Sequence, residues 1–406
     1  MKIYSVNLKN IGPFREQSLS FRDTNGRIYP VVIFTGVNGT GKSVLIDAIR
    51  TAFKGVHGIE RDVVKDKSDF LIELELEVEG HYAKVISDSL GFNGNPSGEN
   101  PYSQFFTLSM DQNNKANWVI DYWSPDIPVE KFKIDSITSI EKEKALVGSL
   151  DKIHPNVDLT KFICSIDYIS GSKKEEEASS AKFVYKLIKE VFDDCVEKGS
   201  FQYVERETLT PIVRTHGMNV SLEKLSSGNI LLVKHLVGLI SRMYGICRMN
   251  EMKISEMAKL EGILFIDEIE NHLHPQYQKS ILGIIRKHFP NLQIILTTHS
   301  PFVVSSVNDA KIYVCVDRSD HSEIIDATAD YSAYAVDDVL GTKVFDIDPF
   351  SKEISDMLEK RKKAIKLGNV KAKDKIEKAL IKLNESYFGY YDLKEQISFY
   401  EKNETH

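Results

Sequence analysis

The segment Gly36-Val37-Asn38-Gly39-Thr40-Gly41-Lys42-Ser43 constrains this chain more than any other. It matches G-x-x-x-x-G-K-S, a pattern that average composition yields only about 0.01–0.02 times in a chain of this length. The run Val31-Val32-Ile33-Phe34 before it reads as a buried strand, and Val44, Leu45, Ala48 and Ile49 after it have helical spacing. Between a strand and a helix, such glycines let the backbone curl so that successive N–H groups and the helix N-terminus point at phosphate oxygens. Lys42 then reaches the β- and γ-phosphates, and the Ser43 hydroxyl is placed to ligate Mg²⁺. The expected fold class is α/β.

A second apolar run, Ile263-Leu264-Phe265-Ile266, ends in Asp267 and Glu268, the form of a Walker B element. Adjacent acids there divide roles: Asp267 holds Mg²⁺ and Glu268 polarises the water that attacks the γ-phosphate. Leu225-Ser226-Ser227-Gly228-Asn229 lies between the two motifs and opens a helix expected over 230–248, with hydroxyl and N–H donors at its N-terminus. A third apolar run, Leu292–Leu296, leads into Thr297-Thr298-His299-Ser300-Pro301. The pair His272 and His274 has no Cys or carboxylate spaced to close a metal site, so it reads as a contact loop after the Walker B strand.

Composition narrows the rest. At 406 residues, 42% hydrophobic and 27% charged, the chain is a folded protein of two to three domains, or one with a large insertion. Its net charge of −7 argues against a uniformly basic, nucleic-acid-binding surface. Cys164, Cys195, Cys247 and Cys315 form no CxxC pair, which excludes a disulfide framework and a zinc cluster and fits a reducing cytoplasm. Lys2–Leu8 alternates without the apolar core of a signal peptide, and Ile230–Ile240, interrupted by Lys234 and His235, is short for a membrane span. A cytoplasmic protein with no membrane partner is the expectation.

The pattern predicts an antiparallel β subdomain after the first helix: Phe70–Val78 alternates with Glu73, Glu75, Glu77 and Glu79, and the runs 104–109 and 118–122 flank Asp111-Gln112-Asn113-Asn114 as a hairpin. Phe162–Ile169 reads as a strand, 172–180 as a mobile loop, 183–192 as a helix and 203–220 as a hairpin. Expected boundaries are 1–160 and 226–345 for the two parts of the main domain, 161–225 for an inserted lobe and 346–406 for a C-terminal helical segment. There Ile354, Met357, Leu358 and Ile365 form one stripe and Ile376, Ala379, Leu380 and Leu383 another, with Gly368 between and an Asp392-x-x-Glu395 capping box opening the last helix. Lys360–Lys378 carries a net +7, which suits a solvated helix face, a phosphate-binding patch or a dock for an acidic protein. Tyr387, Phe388, Tyr390, Tyr391, Phe399 and Tyr400 follow and favour the protein dock.

With these motifs in this order the chain resembles the ABC-type ATPases, whose signature reads LSGGQ; here Ser227 replaces the first Gly and Asn229 the Gln. Leu8-Lys9-Asn10-Ile11-Gly12-Pro13-Phe14-Arg15 and Asp267-Glu268-Ile269-Glu270-Asn271-His272-Leu273-His274-Pro275 look like the RecF, SMC and OLD-like group, nearest to the PtuA-type anti-phage defence ATPases. The resemblance implies an ABC-type ATPase head with ATP and Mg²⁺ as cofactors. Gly36, Asn38, Gly39, Thr40, Gly41, Lys42, Ser43 and Val44 would bind the nucleotide, Ser43 and Asp267 the metal, Glu268 would be the base and His299 the switch that senses the γ-phosphate. Ser227 and Gly228 would face the nucleotide of a second copy, so a homodimer closes a composite ATP site.

Departures from the family pattern sharpen the expectation. No Gln is placed as the Q-loop: Gln112 sits in the expected hairpin turn, and the run ending at Ile169 offers Asp167, Tyr168 and Ser170. No coiled coil supports an SMC role, and Lys311–Asp317 is not followed by the acidic pattern of a Toprim nuclease. The resemblance therefore implies an ATPase that controls a separately encoded nuclease or toxin effector. A RecF-like DNA-repair ATPase, binding DNA with no effector, is the alternative; a transporter subunit fits least.

Overall fold

Alternation and continuous burial divide the strands into two kinds, and the chain order mixes them. The structure, a computed structural model, describes residues 1–55, 62–66, 68–89, 97–98, 116–126, 132–137, 139–140, 148–152, 158–196, 198–331, 351–385 and 388–389. The first half holds β1 (Lys2–Ile11), β2 (Phe14–Ser20), β3 (Val31–Thr35), α1 (Lys42–Lys54), β4 (Leu71–Val78), β5 (His81–Asp88), β6 (Ser97–Gly98) and β7 (Trp118–Trp123). Next come α2 (Leu159–Ser170), α3 (Glu175–Cys195), β8 (Gly199–Glu205), β9 (Thr210–Thr215), β10 (Met218–Ser221) and α4 (Ser227–Met249). The second half holds β11 (Glu261–Ile266), α5 (Pro275–His288), β12 (Leu292–Thr297), α6 (Pro301–Val304), β13 (Ala310–Asp317), β14 (Ser322–Asp326) and α7 (Thr328–Tyr331). Two helices follow, α8 (Lys352–Lys366) and α9 (Val370–Leu383).

One 11-stranded sheet runs in the order β6-β5-β4-β1-β2-β14-β13-β3-β12-β11-β7. Its first part is antiparallel and half-buried: β4 buries Ile72, Leu74 and Leu76 and turns Glu73 and Glu75 toward β1, where Asn7 and Ser5 donate to them. Its other part, β13-β3-β12-β11-β7, is parallel, and β3, β7 and β12 are buried at every position. Parallel strands covered on both faces need such unbroken apolar runs. The register Phe34↔Thr297 and Ile266↔Leu296 brings the C-terminal ends of β3, β12 and β11 level. In open parallel sheets that edge is where ligands bind.

The structure adds to one local reading of the sequence and corrects three others. Trp118–Trp123, expected as one arm of a hairpin, is a strand that pairs in parallel along one edge with β11, about 140 residues further on. Its expected partner 104–109 and Gln112 lie outside the described residues. Phe162–Ile169 is helical: Asp158 caps α2 by accepting from the Lys161 N–H, and Leu159, Phe162, Ile163 and Ile166 bury one stripe. The expected loop 172–180 is mostly the start of α3, whose first turn holds Glu175, Glu176 and Glu177, charges that the positive end of a helix favours. The expected hairpin near 203–220 is a three-stranded meander, β8-β9-β10.

Helix α4 is long and apolar enough to cross a bilayer by length and composition, yet most of its apolar window is buried against α3, β7 and α2. That burial is the pattern of a core helix.

The chain divides into two compact units, residues 1–339 and 340–406. The second contains a helical hairpin: α8 ends at Leu367, Gly368 takes φ +64°, and Arg361 Nε donates to Glu377 Oε1 across the pair at 2.6 Å. The two apolar stripes expected from the sequence fall on these helices. The capping box at Asp392 and all the following aromatic residues except Phe388 lie outside the described residues.

Candidate nucleotide-binding site

The loop between β3 and α1 is shaped by its glycines. Gly36 takes φ +140°, and a Cβ there would stand 2.4 Å from the Cys315 carbonyl oxygen of β13. Gly41 takes φ +96°, and a Cβ would meet Pro13 Cγ at 2.5 Å, so the β1–β2 turn props the loop from below. Thr40 Oγ1 donates to Val37 O at 2.9 Å, and Lys42 Nζ donates to Gly36 O at 3.0 Å and Val37 O at 2.9 Å. The buried ammonium thus clamps the loop with two N–H bonds and keeps a third for a ligand. Burial holds Lys42 below the ordinary lysine value.

The N-terminus of α1 has no side-chain cap, whereas Asp158, Ser226, His274 and Ser300 cap α2, α4, α5 and α6. Its orphan N–H groups around Ser43 and Val44, with Asn38 and Gly39 at the crest of the loop, suit an anion. Ser43 Oγ donates to Asp267 Oδ1 at 2.9 Å, the hard-oxygen pair that a Mg²⁺ shared with phosphates requires. Phosphate and metal therefore both fit the residues present. Among the described residues no cluster of three or more His, Cys, Asp or Glu could hold a metal by itself.

Thr297, at the end of β12, joins the two sides. Its Oγ1 donates to Asp267 Oδ1 at 2.5 Å and accepts from Glu268 N–H at 2.8 Å. Glu268 takes the left-handed φ of +52°, uncommon outside glycine, at the turn off β11. His299 follows Thr298, whose N–H bonds to Phe34 O at 3.0 Å. The imidazole lies beside the phosphate loop at Gly36 and within coulombic reach of Lys42, Glu268 and Asp267. Burial first, then Lys42, holds His299 below the ordinary histidine value, so it is neutral at pH 7. The structure thus gathers Gly36, Lys42, Ser43, Asp267, Glu268 and His299 at one sheet edge.

Ser227 and Gly228 stand elsewhere. Ser226 caps α4 through Asn229 N–H, and a Cβ on Gly228 would stand 2.4 Å from the His272 carbonyl oxygen. The signature therefore packs on the turn after Glu268, and among the described residues none of its bonds reaches the phosphate loop. Two turns on, His235 stacks on Trp123 with centroids 4.7 Å apart, tying α4 to β7.

The segment near Ile169 is a helix and so ends no strand, while β11 is flanked by β12 and β7. Asp267 N–H donates to Trp123 O at 3.0 Å, and Ser124, Pro125 and Asp126 follow, with no Gln. Sequence reasoning also passed over Thr297 and Gln278. The paired threonines before His299 were the signal for the first; nothing in the sequence marked the second.

Residues 126–305 match a family model described as "AAA domain, putative AbiEii toxin, Type IV TA system". The match takes in the signature, Walker B and His299 but not the phosphate loop, so it is independent of that motif. The chain is 23% identical over 312 residues to the Retron Vc95 probable ATPase of Vibrio cholerae serotype O1 biovar El Tor, covering 76% of this chain and 56% of that one. It is 31% identical over 142 residues to the Septu protein PtuA of Bacillus thuringiensis, covering 32% of this chain and 35% of that one. It spans about half the length, or less, of these curated relatives. Among solved structures it is similar to an SMC head bound to the C-winged helix domain of ScpA, with 15% identity, a TM-score of 0.49 and coverage of 80% of this chain and 98% of that one. Motif order and sequence likeness point the same way: the chain is similar over residues 126–305 to that AAA-domain family, and over longer or shorter stretches to the retron Vc95 probable ATPase and the Septu protein PtuA.

Proposed function

We propose that the chain binds and hydrolyses ATP with Mg²⁺, closes as a dimer around nucleotide, and controls a separately encoded nuclease or toxin effector in anti-phage defence. The observation that carries the reading is the 2.9 Å bond between Ser43 Oγ and Asp267 Oδ1 beside an uncapped helix N-terminus. The Septu and retron relatives support the defence context.

On this reading the N–H groups of residues 36–44 hold the phosphates, and Lys42 directs its remaining N–H at the terminal ones. Ser43 and Asp267 hold Mg²⁺, which when bound neutralises charge on the β- and γ-phosphates. Glu268 takes a proton from the attacking water and neutral His299 hydrogen-bonds the γ-phosphate. Ser227 and Gly228, turned away from their own loop, serve the partner's nucleotide. The test is steady-state hydrolysis with Mg²⁺, together with sedimentation of the 46.1 kDa chain with and without ATP. Wild type is expected to turn over and to double its mass with ATP, and Lys42→Ala to do neither. A Lys42→Ala chain that hydrolyses at the wild-type rate overturns the reading.

A further inference from the structure

We propose that Glu270 and Gln278 are positioning residues for His299, holding the Thr298–Ser300 backbone from two sides. The proposal deepens the ATP-hydrolysis reading and rests on it for its kinetic arm. Glu270 lies three residues past Asp267, with both carboxylate oxygens engaged. Oε2 accepts from Thr298 Oγ1 at 2.7 Å, and Oε1 accepts from the His299 N–H at 2.5 Å. Burial raises its pKa, and the bonds from the His299 N–H and the Thr298 hydroxyl oppose that rise. A carboxylate that spends both oxygens on a loop is placed to fix that loop, since each charge-assisted bond is stronger than a neutral one.

Gln278, one turn into α5, holds the other side. Its Oε1 accepts from Ser300 Oγ at 2.7 Å, and its Nε2 donates to Leu273 O at 2.9 Å. Ser300 Oγ in turn accepts from the N–H groups of Phe302 and Val303, capping α6, while Ser300 N–H donates to Thr298 Oγ1 at 3.0 Å. His299 is thus the middle residue of a segment pinned at each end. The second pin, through Leu273, belongs to the turn on which Gly228 packs. The placement of the imidazole beside the phosphate loop therefore depends on two side chains that make no bond to that loop among the described residues.

The variants are Glu270→Ala, Glu270→Gln and Gln278→Leu in the full chain. Gln at 270 can still accept the His299 N–H through Oε1 and donate to Thr298 Oγ1 through Nε2. The first readout needs no turnover: hydrogen exchange of the peptide spanning 297–304 without nucleotide. Glu270→Ala and Gln278→Leu are expected to speed it about tenfold, the loss of one or two buried bonds, and Glu270→Gln to stay within about threefold of wild type. The second readout is kinetic, with kcat falling about tenfold or more in the first two variants, KM for ATP within about threefold, and Glu270→Gln near wild type. If Glu270→Gln is as impaired as Glu270→Ala, charge and not placement is the role, and the proposal is overturned. Unchanged exchange in Glu270→Ala and Gln278→Leu overturns it as well. Should Glu270→Ala fail to fold, Gln278→Leu decides from the opposite side. Should wild type not hydrolyse ATP, the hydrolysis reading fails while exchange still decides the positioning.

Discussion

Glu268 and Gly228 sit on either flank of one turn, and their environments separate chemistry from packing. Glu268 has its own N–H fixed by Thr297 and leaves the Ser43–Asp267 pair untouched, so Glu268→Gln is expected to keep nucleotide binding and to lower turnover by about 10²-fold or more. Binding of a fluorescent ATP analogue beside a phosphate-release assay checks it; normal turnover would place the base elsewhere. Gly228 is different, since a methyl there meets the His272 carbonyl oxygen before any ligand is considered. Gly228→Ala is expected to destabilise the chain by about 1–3 kcal/mol in urea melts without nucleotide. Gly39→Ala, with nothing within 4 Å but a φ of +84°, costs about 1 kcal/mol for backbone strain alone. Equal melts for the two would mean that the turn yields freely to the signature helix.

Helix α3 is joined to α5 by Asp194, which accepts from Lys287 Nζ at 2.7 Å and His288 Nε2 at 2.6 Å. Burial alone would raise the Asp194 carboxyl, but Lys287 and His288 outweigh it and hold it below the ordinary aspartate value. A carboxylate lowered on folding contributes stability that is present above its unfolded value, about 3.9, and is lost as pH falls through the folded one. Asp194→Asn is therefore expected to cost about 1–2 kcal/mol from pH 7 to pH 5, with the gap to wild type closing below about pH 4 in urea titrations. A gap that stays constant with pH would assign the cost to packing. How readable such elements are depends on how local their causes are. The phosphate loop, Asp267, Glu268 and His299 carry their chemistry within a few residues, and all fell at one sheet edge. The pairing of Trp118–Trp123 with β11 is not legible locally, because that partner is remote in the sequence. Phe162–Ile169 has strand-like apolar residues, and the Asp158 cap together with burial on α3 and α4 decides for helix. Thr297 and Gln278 act only through contacts that the parallel register creates.

Every residue assigned to the nucleotide lies in the first compact unit, and the basic hairpin lies wholly in the second. Removing residues 340–406 is therefore expected to leave ATP binding within about threefold of wild type, since none of its bonds would be lost, and to abolish capture of the effector if the hairpin is its dock. Calorimetric titration with ATP and co-purification check the two halves separately; lost binding in a folded truncation would place a nucleotide contact in the second unit. The position of β3 has a consequence for biosynthesis. It emerges early from the ribosome, yet its neighbours β12 and β13 begin at Leu292 and Ala310, and the Ile3 N–H waits for the side chain of Gln293. At about 5–20 residues per second, those partners follow some tens of seconds later. For that interval β3, buried at every position in the finished sheet, has no native strand partner, and the growing chain exposes an apolar edge. Slower translation lengthens that exposure, so soluble yield is expected to rise when holding chaperones are co-expressed.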